Sequence, residues 1–301
     1  MATTKADDKF QFERHRYFAA DRVDHSTGKL VFIVCGVERW LGEIAPAIRT
    51  NYKGDRVAFT QIEIDSIGAM LSELKRSTNS REPVWFRGHS DSTWSLQPGY
   101  QRLKNPPPES VLIKKFKQNA NLLVSNVGIN KFDWLFYLQH YGVPTRLLDW
   151  SESPLYALYF AVTANPKKEG AVWALRPLEL NKFTTSIPKT SKFLPSFEDS
   201  DLDNYSTESL EASHLDGVLP MAAIATRNNA RIQAQLGVFT ISHRAKQAIE
   251  AIGDGSHVTK FKVSPDAKKI ILEELRLLGV SKFQLFPELA SAGELIKDTL
   301  S

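Results

Sequence analysis

The amino-acid sequence predicts an α+β fold. Short runs rich in β-branched and aromatic residues, each of strand length, alternate irregularly along the chain with amphipathic stretches of helical spacing. This irregular mixture favours α+β over the regular strand–helix–strand repeat of a doubly wound parallel sheet. The chain has 301 residues, of which 42% are apolar and 24% charged, so it is long enough to bury a sizeable core.

Five segments have the composition of strands. The run 30–37 (LVFIVCGV) is apolar throughout, which is typical of a buried strand. The segment 84–87 is short, and Gly88 with the polar residues that follow indicates a turn. The remaining predicted strands are 170–175, 237–241 and 258–263.

Helical spacing of apolar residues predicts five helices. One has a clear beginning, because Ser153 fits an N-cap and Pro154 fits the first helical position. This helix is expected to run to about residue 164, where Asn165 and Pro166 end it. The other predicted helices are 61–75, 109–124, 132–139 and 266–278.

Two segments lack a clear pattern. Residues 1–26 are charged and weakly periodic, and they predict a frayed arm or a short helix. Residues 183–210 are rich in Ser, Thr and Asp and poor in long apolar side chains. They predict an irregular, mobile loop near the mouth of the functional cleft.

Composition excludes several classes of protein. A single cysteine, Cys35, excludes an internal disulfide framework and a cysteine-based zinc cluster, and it suits a reducing compartment. The N-terminus has no apolar signal region, and no run approaches the roughly 18 apolar residues that span a bilayer. We therefore expect a cytoplasmic protein with no membrane partner. A net charge of +4 and a pI of about 9.0 are compatible with a nucleic-acid partner.

The first polar cluster is the pentapeptide 85–89 (WFRGH). Arg87 at a strand end offers a planar fork to an anion, and Gly88 would let a ligand approach the backbone. We expect Arg87 to be largely buried at the floor of a cleft, facing the segment 139–150. The alternative is a structural arginine paired with a buried carboxylate.

The second cluster is the segment 139–150 (QHYGVPTRLLDW), a turn-rich stretch between two predicted helices. Polar groups concentrated in such a loop are typical of a functional site. The alternative for Arg146 and Asp149 is that they pair with each other and fix the loop. Tyr156 and Tyr159 lie three residues apart on the next helix, where half-buried core positions are the alternative.

The third cluster is 231–240 (RIQAQLGVFT). Gln233 and Gln235 point the same way if the backbone is extended, and a glutamine side chain cannot act as a general base. The dinucleotide-binding and phosphate-loop glycine motifs are missing, as are the HExxH and GxSxG signatures. The seven histidines show no spacing of metal ligands, so we expect no metal.

Taken in order, four motifs resemble the FRG family, which is named for its Phe-Arg-Gly motif. They are FRG at 86–88, QHYGVPTRLLDWSESPLYALYFA at 139–161, QxGxF at 235–239 and FPEL at 286–289. The resemblance covers about residues 58–292. It implies an N-terminal extension at 1–57 with one strand, an FRG domain at 58–292, and a C-terminal tail at 293–301.

The order of these motifs is similar to that of the ADP-ribosyltransferases. That resemblance implies a split, mixed or antiparallel β-sheet core with flanking helices, and NAD as the substrate that carries the transferred group. It implies NAD-binding roles for Arg87, Gly88, His140, Thr145, Arg146 and Tyr159. It implies catalytic roles for Gln235, Tyr141 and Asp149, with Gln235 in the position of the usual glutamate. Because glutamine cannot take a proton, either the site works by stabilising an oxocarbenium ion, or Asp149 serves instead, or NAD is bound without turnover.

The resemblance therefore implies an NAD-dependent ADP-ribosyltransferase-like toxin or phage-defence effector. It would modify a macromolecule, with nucleic acid favoured slightly over protein because of the basic charge balance, and a neutralising antitoxin protein could exist. One alternative is a non-catalytic nucleotide-sensing or protein-interaction module, which Gln235 favours. A second alternative is a nuclease, although the sequence lacks a carboxylate cluster suited to Mg²⁺.

Overall fold

A mixed β-sheet organises the larger of two units of the chain. The computed structural model describes residues 10–12, 16–18, 59–77, 82–120, 122–123, 131–184, 191–213, 215–227, 229–297 and 300. The smaller unit consists of Met1–Gly54 and Pro107–Pro144, and the larger, here called the sheet unit, of Asp55–Pro106 and Thr145–Ser301.

The described strands form two sheets. Their bounds are β1 Phe10–Phe12, β2 Arg16–Phe18, β3 Thr60–Ile64, β4 Trp85–His89, β5 Leu147–Ser151, β6 Gly170–Leu175, β7 Met221–Ala223, β8 Gly237–Ile241 and β9 Val258–Val263. In the sheet unit the order is β3-β9-β6-β4-β5-β8-β7. The edge pair β3–β9 is parallel, and the other neighbours in this sheet are antiparallel. The α+β class is therefore confirmed.

Helices connect and cover these strands. Their bounds are α1 Ile67–Ser77, α2 Gly99–Arg102, α3 Glu109–Ala120, α4 Asp133–His140, α5 Pro154–Val162, α6 Pro177–Asn181, α7 Thr207–Ala212, α8 Ala230–Ala234, α9 Pro265–Leu277, α10 Lys282–Leu285 and α11 Leu289–Lys297, with 3-10 turns at Ser200–Tyr205 and Ile249–Ala251. Among the described helices, none has the length and apolar content needed to span a bilayer.

The sheet has a seam between β4 and β5. Only Phe86 and Ser151 pair there, whereas β4 and β6 pair over five residues and β5 and β8 over another five. Beyond this single pair the two central strands share no ladder. The seven-stranded sheet is thus joined at this point by one residue pair, and side chains of β4 can reach the backbone of β5.

Side chains of the sheet alternate between two apolar layers. Phe86 and Val172 belong to a layer packed by α1, α5 and α9, which we call the helix face. Trp85 and Trp173 belong to the opposite layer, which contains Leu96 and the 3-10 turn at Ile249; we call it the loop face. Because successive residues of a strand point to opposite sides, Arg87 and His89 lie on the loop face and Gly88 on the helix face.

Helix α5 begins as its sequence predicts. The Ser153 side chain accepts a hydrogen bond from the Tyr156 backbone N–H, and Pro154 stands in the first turn. The chain leaves the helix through Asn165, whose φ is +47°. Strands 170–175, 237–241 and 258–263 are also confirmed, at the bounds of β6, β8 and β9.

The predicted helix 61–75 was wrong in its first half. Residues Thr60–Ile64 form edge strand β3, which pairs in parallel with β9, so tertiary pairing overrides the local helical spacing. The helix begins only after Ser66, whose hydroxyl accepts from the Ala69 N–H as a cap. Gly88 likewise lies inside β4 rather than in the predicted turn.

The segment 139–150 was predicted as a loop, and part of it is regular structure. Residues up to His140 belong to α4, and β5 begins at Leu147. The predicted irregular loop 183–210 was also partly wrong: Phe197, Leu202 and Tyr205 are buried, and α7 begins within it. A few well-placed aromatic and aliphatic residues are enough to anchor a polar segment.

The smaller unit holds one described hairpin and two described helices. Strands β1 and β2 pair antiparallel where the sequence predicted an arm or short helix. The predicted strand 30–37 lies outside the described residues. In α3 and α4, the rings of Phe116 and Trp134 meet edge to face with centroids 6.2 Å apart, and Lys117 Nζ lies 5.0 Å from the Trp134 ring. These contacts hold the two helices together.

Candidate functional site

The candidate site lies at the seam of the sheet, where side chains of β4 meet the backbone of β5. It consists of Arg87 and His89 from β4, Trp94 from the segment after it, Arg102 from the end of α2, and Asp149 from β5. We call this set the seam site. It combines two guanidinium groups, a buried imidazole, an indole and one carboxylate.

Arg87 bridges the seam. Its Nη1 donates to the backbone carbonyl of Asp149 at 2.7 Å, and its Nε donates to Nε2 of His89 at 3.0 Å. The Asp149 carboxylate is a looser partner, with Oδ2 3.9 Å from Nη1. Loss of hydration lowers the pKa of Arg87 and the Asp149 charge opposes that shift. The side chain is 21% exposed, so this fixed cation still reaches solvent.

His89 orients that cation. It is buried, and burial is the main cause that lowers its pKa well below the usual value; the charges of Arg87, Arg102 and Lys260 lower it further, while the Trp94 backbone opposes them. The imidazole is therefore neutral at pH 7. Since Nε2 accepts from Arg87, the ring proton resides on Nδ1. The Trp94 ring lies edge-on to the imidazole, with centroids 5.9 Å apart.

Arg102 supplies a second cation. Its side chain is exposed, yet the surrounding protein removes part of its hydration and lowers its pKa to about 10, and the Arg87 charge contributes to this shift. It stays protonated at neutral pH. Within the described part of the chain, the Arg102 guanidinium has no hydrogen-bond or ion-pair partner. The site thus presents a second positive charge that acts on Arg87 and has no counter-ion within the described residues.

Each residue of the Phe-Arg-Gly tripeptide has a structural role. Phe86 is buried in the helix-face core and Arg87 bridges the seam. At Gly88 a Cβ would lie 1.9 Å from the Ala157 carbonyl oxygen of α5. The expectation that Gly88 admits a ligand is therefore corrected: the group that approaches its backbone is helix α5.

Two residues predicted for the second cluster are structural in their described contacts. Thr145 is fully buried, and its hydroxyl accepts from the Leu147 N–H at 3.2 Å. Arg146 is also buried and donates to the carbonyls of Ser242 at 2.7 Å and Tyr205 at 2.8 Å. Arg146 clamps the start of β5 to the neighbouring segments. Asp149 of the same cluster contacts Arg87 instead, because its backbone carbonyl accepts from Arg87 Nη1.

His140 and Tyr141 belong to the smaller unit. Their rings meet edge to face with centroids 4.7 Å apart, and Phe116 lies 6.0 Å from the Tyr141 ring. Tyr141 is 54% exposed, so its phenol is available to a partner.

Tyr159 lies on α5 with Tyr156, and both are half-buried against the helix-face core. By strand alternation Arg87 projects toward the opposite, loop face of the same sheet.

Gln235 lies one strand away from the seam site. It follows α8, and its Nε2 donates to the Leu285 carbonyl at 3.0 Å while its own carbonyl accepts from the Ser151 hydroxyl at 2.7 Å. Strand β8 does not lie beside β4, because β5 stands between them.

Sequence reasoning missed His89, Trp94 and Arg102 as site residues. His89 had a usable signal: it stands two residues after Arg87 in a strand and so shares its face. Arg102 had none, because only the fold brings the end of α2 to β4. Among the described residues, no group of three or more His, Cys, Asp or Glu side chains could hold a metal ion.

Comparisons with known proteins give one family and two short local matches. Glutamine--tRNA ligase of Ralstonia pickettii is 66% identical over 32 residues, which is 11% of this chain and 6% of that protein. The Ralstonia nicotianae enzyme is 62% identical over 32 residues, with the same shares. The chain thus spans a small fraction of these relatives. No solved structure matches it. The model of the family described as FRG domain matches residues 82–170, which contain Arg87, His89, Arg102 and Asp149, and the chain therefore carries an FRG domain.

Proposed function

We propose that the seam site binds NAD through Arg87 and Arg102, and that the protein transfers ADP-ribose from NAD to a macromolecule. The observation that carries the proposal is the Arg102 guanidinium, whose charge acts on Arg87 and which has no hydrogen-bond or ion-pair partner within the described residues. The cations Arg87 and Arg102 outnumber the one exposed carboxylate, Asp149, so the seam site carries a net positive charge. This charge would attract a pyrophosphate, which carries two negative charges.

The geometry of Arg87 suits a phosphate ligand. Its Nε and one Nη1 proton are held by His89 and Asp149, which fix the plane of the guanidinium. The other N–H groups have no acceptor within the described part of the chain, and a fork held in one orientation binds a phosphate with little loss of side-chain entropy. Trp94, half-buried beside His89, offers an aromatic surface to a base or nicotinamide ring.

The proposed reaction breaks the bond between the nicotinamide nitrogen and ribose C1′. Nicotinamide leaves with the bonding electron pair, a nucleophile of the acceptor bonds to C1′, and the proton of that nucleophile passes to a base. Positive charge develops on the ribose as the bond stretches. The Asp149 carboxylate, 49% exposed beside Arg87, is placed to stabilise that charge or to accept the proton.

The wider biological role is part of the same proposal. The protein would act in the cytoplasm as a toxin or phage-defence effector and would be restrained by an antitoxin protein. The net charge of +4 favours nucleic acid as the acceptor.

A second candidate is a module that binds a nucleotide without turnover. The contact that favours it is the hydrogen bond from Gln235 to the Leu285 carbonyl, which commits this side chain to the protein. The resemblance to the ADP-ribosyltransferases would give Gln235 the position of their glutamate. Binding of the nucleotide at the seam site would then change how the protein contacts a partner.

The test is incubation of the purified chain with adenylate-labelled NAD and, separately, total RNA, DNA or protein. Label on one macromolecule with release of nicotinamide supports the transferase, and Asp149→Asn should reduce transfer while NAD binding persists. Saturable NAD binding without transfer identifies the second candidate. Degraded nucleic acid would point to a nuclease, and absence of both binding and transfer would refute the proposal.

A further inference from the structure

Arg87 can grip an anion firmly only if its guanidinium keeps one orientation. Two protein acceptors fix that orientation, the Asp149 carbonyl on β5 and the imidazole of His89 on the same strand. The carbonyl is a permanent acceptor. The imidazole is an acceptor only while it is neutral, so the two supports differ in chemistry.

We infer that His89 is a positioning residue for the anion site: as a neutral acceptor at Nε2 it holds the Arg87 fork toward the ligand. This inference rests on the proposed function for its binding readout and on geometry for the contact itself. The contact is a 3.0 Å bond from Arg87 Nε, and His89 is only 4% exposed, so solvent cannot substitute for the imidazole.

The surroundings explain why a histidine can do this at neutral pH. The charged groups that act on the ring are Arg87 on its own strand, Arg102 at the end of α2, and Lys260 on β9. All three are cations, so each disfavours a charged imidazole. Only the Trp94 backbone opposes them. The ring therefore stays neutral over the physiological range, and Arg87 keeps its acceptor.

Protonation of His89 would reverse this arrangement. Both ring nitrogens would then be donors, and the Arg87 Nε–H would face a positive N–H instead of a lone pair. The guanidinium would have to turn away or lose its support. Anion binding at this site should consequently fall only once the pH drops below the lowered pKa of His89, although the arginines themselves do not titrate there.

Two variants distinguish a positioning role of His89 from a role in core packing alone. His89→Gln offers an amide oxygen that can accept from Arg87 Nε and cannot titrate, whereas His89→Phe fills the space without an acceptor. His257→Gln is the matched control, because His257 is also buried on the loop face with a lowered pKa, and its Nε2 contacts the Ile249 carbonyl instead of Arg87. Thermal melting of each variant confirms that it is folded at each pH used.

The experiment is calorimetric titration of the full chain with NAD from pH 5 to 8, where the pyrophosphate does not titrate. We expect the natural chain and His257→Gln to keep their affinity until the pH falls below the lowered pKa of His89. His89→Gln should bind with nearly natural affinity at pH 7.5 and show no such loss on acidification, and His89→Phe should bind about tenfold more weakly at every pH. Natural affinity in His89→Phe at pH 7.5, or a roughly tenfold loss in His89→Gln at that pH, would overturn the inference.

A second readout does not depend on NAD. The ¹⁵N resonance of Arg87 Nε should shift with the titration of the His89 ring in the natural chain and stay constant in His89→Gln. Failure of NAD to bind the natural chain would refute the proposed function, and this resonance would still decide the role of His89. An Arg87 Nε signal that ignores the His89 titration would refute the positioning role.

Discussion

Arg87 Nη1 donates to the backbone carbonyl of Asp149 at 2.7 Å, across the line where β4 and β5 share a single residue pair. A side chain thus replaces the backbone ladder at the centre of the sheet. The same guanidinium is the cation that the seam site presents to a ligand. The stability of the split and the binding of an anion therefore depend on one residue.

Replacement of Arg87 by Lys should impair both properties. An ammonium cannot reach the Asp149 carbonyl and His89 Nε2 with the geometry of the planar fork, so at least one buried acceptor loses its donor. We expect the free energy of unfolding to fall by about 1–3 kcal/mol and NAD affinity to be lost. Urea unfolding and calorimetric titration measure the two effects. A variant that binds NAD as well as the natural chain would show that charge alone is sufficient.

Gly88→Ala should destabilise the sheet unit strongly. The added methyl group would stand 1.9 Å from the Ala157 carbonyl oxygen, so α5 would have to move away from β4. We expect a loss of about 3 kcal/mol in the free energy of unfolding. Gly68→Ala in α1 is the matched control, since its new methyl group meets nothing within 4 Å, and it should stabilise by about 0.5–1 kcal/mol. Equal effects of the two substitutions would contradict this packing account.

Gln235 variants separate a catalytic role from a structural one. Gln235→Ala removes the donor to the Leu285 carbonyl, and Gln235→Glu places a carboxylate against that carbonyl. Both should lower the melting temperature, and the loss for Ala should correspond to about 1 kcal/mol. NAD turnover per folded molecule should remain close to natural in the Ala variant. If Ala abolishes turnover and Glu restores it, Gln235 belongs to the reaction and the structural account of it fails.

Stability should fall with pH below neutrality. His89, His243 and His257 are buried, and burial is the first cause that lowers each of their pKa values. Below pH 6.5 these histidines take up protons in the unfolded chain, whereas in the folded chain they stay neutral. A fall in pH therefore favours unfolding. Each histidine then contributes a loss of up to about 1.4 kcal/mol per pH unit until its folded pKa is reached. Urea unfolding at pH 7.5 and 5.5 measures the effect. An equal free energy of unfolding at both pH values would contradict the burial of these histidines in their neutral form.

The sequence predicted most of the sheet and part of the site. Strands β6, β8 and β9 were found at their bounds because each is a short run rich in β-branched or aromatic residues, and α5 because Ser153 and Pro154 define its beginning. Edge strand β3 was missed because its pairing with β9 is a long-range contact that no local pattern reports. Tertiary context decided this segment.

The site residues likewise divide into those with a local sequence signal and those that only long-range contacts define. The importance of Arg87 was visible as an arginine at a strand end, and Asp149 as a carboxylate in a turn-rich motif. The partners of Gly88 and Gln235, Ala157 and Leu285, lie far away in sequence, so their packing roles could not be predicted. Arg102 carries no local signal at all. Its significance arises from its place beside Arg87 and from its lack of a partner within the described residues.

Calorimetric titration of NAD into Arg102→Gln tests the central claim most directly. The substitution removes the unpaired charge and leaves Arg87 with its partners His89 and Asp149. We expect affinity to fall about tenfold or more, with a weaker dependence on salt concentration. Arg76→Gln is the matched control, because Arg76 is an exposed arginine on α1 paired with Glu73, and it should bind NAD as the natural chain does. Equal affinity in the Arg102 and Arg76 variants would contradict an anion site at the seam.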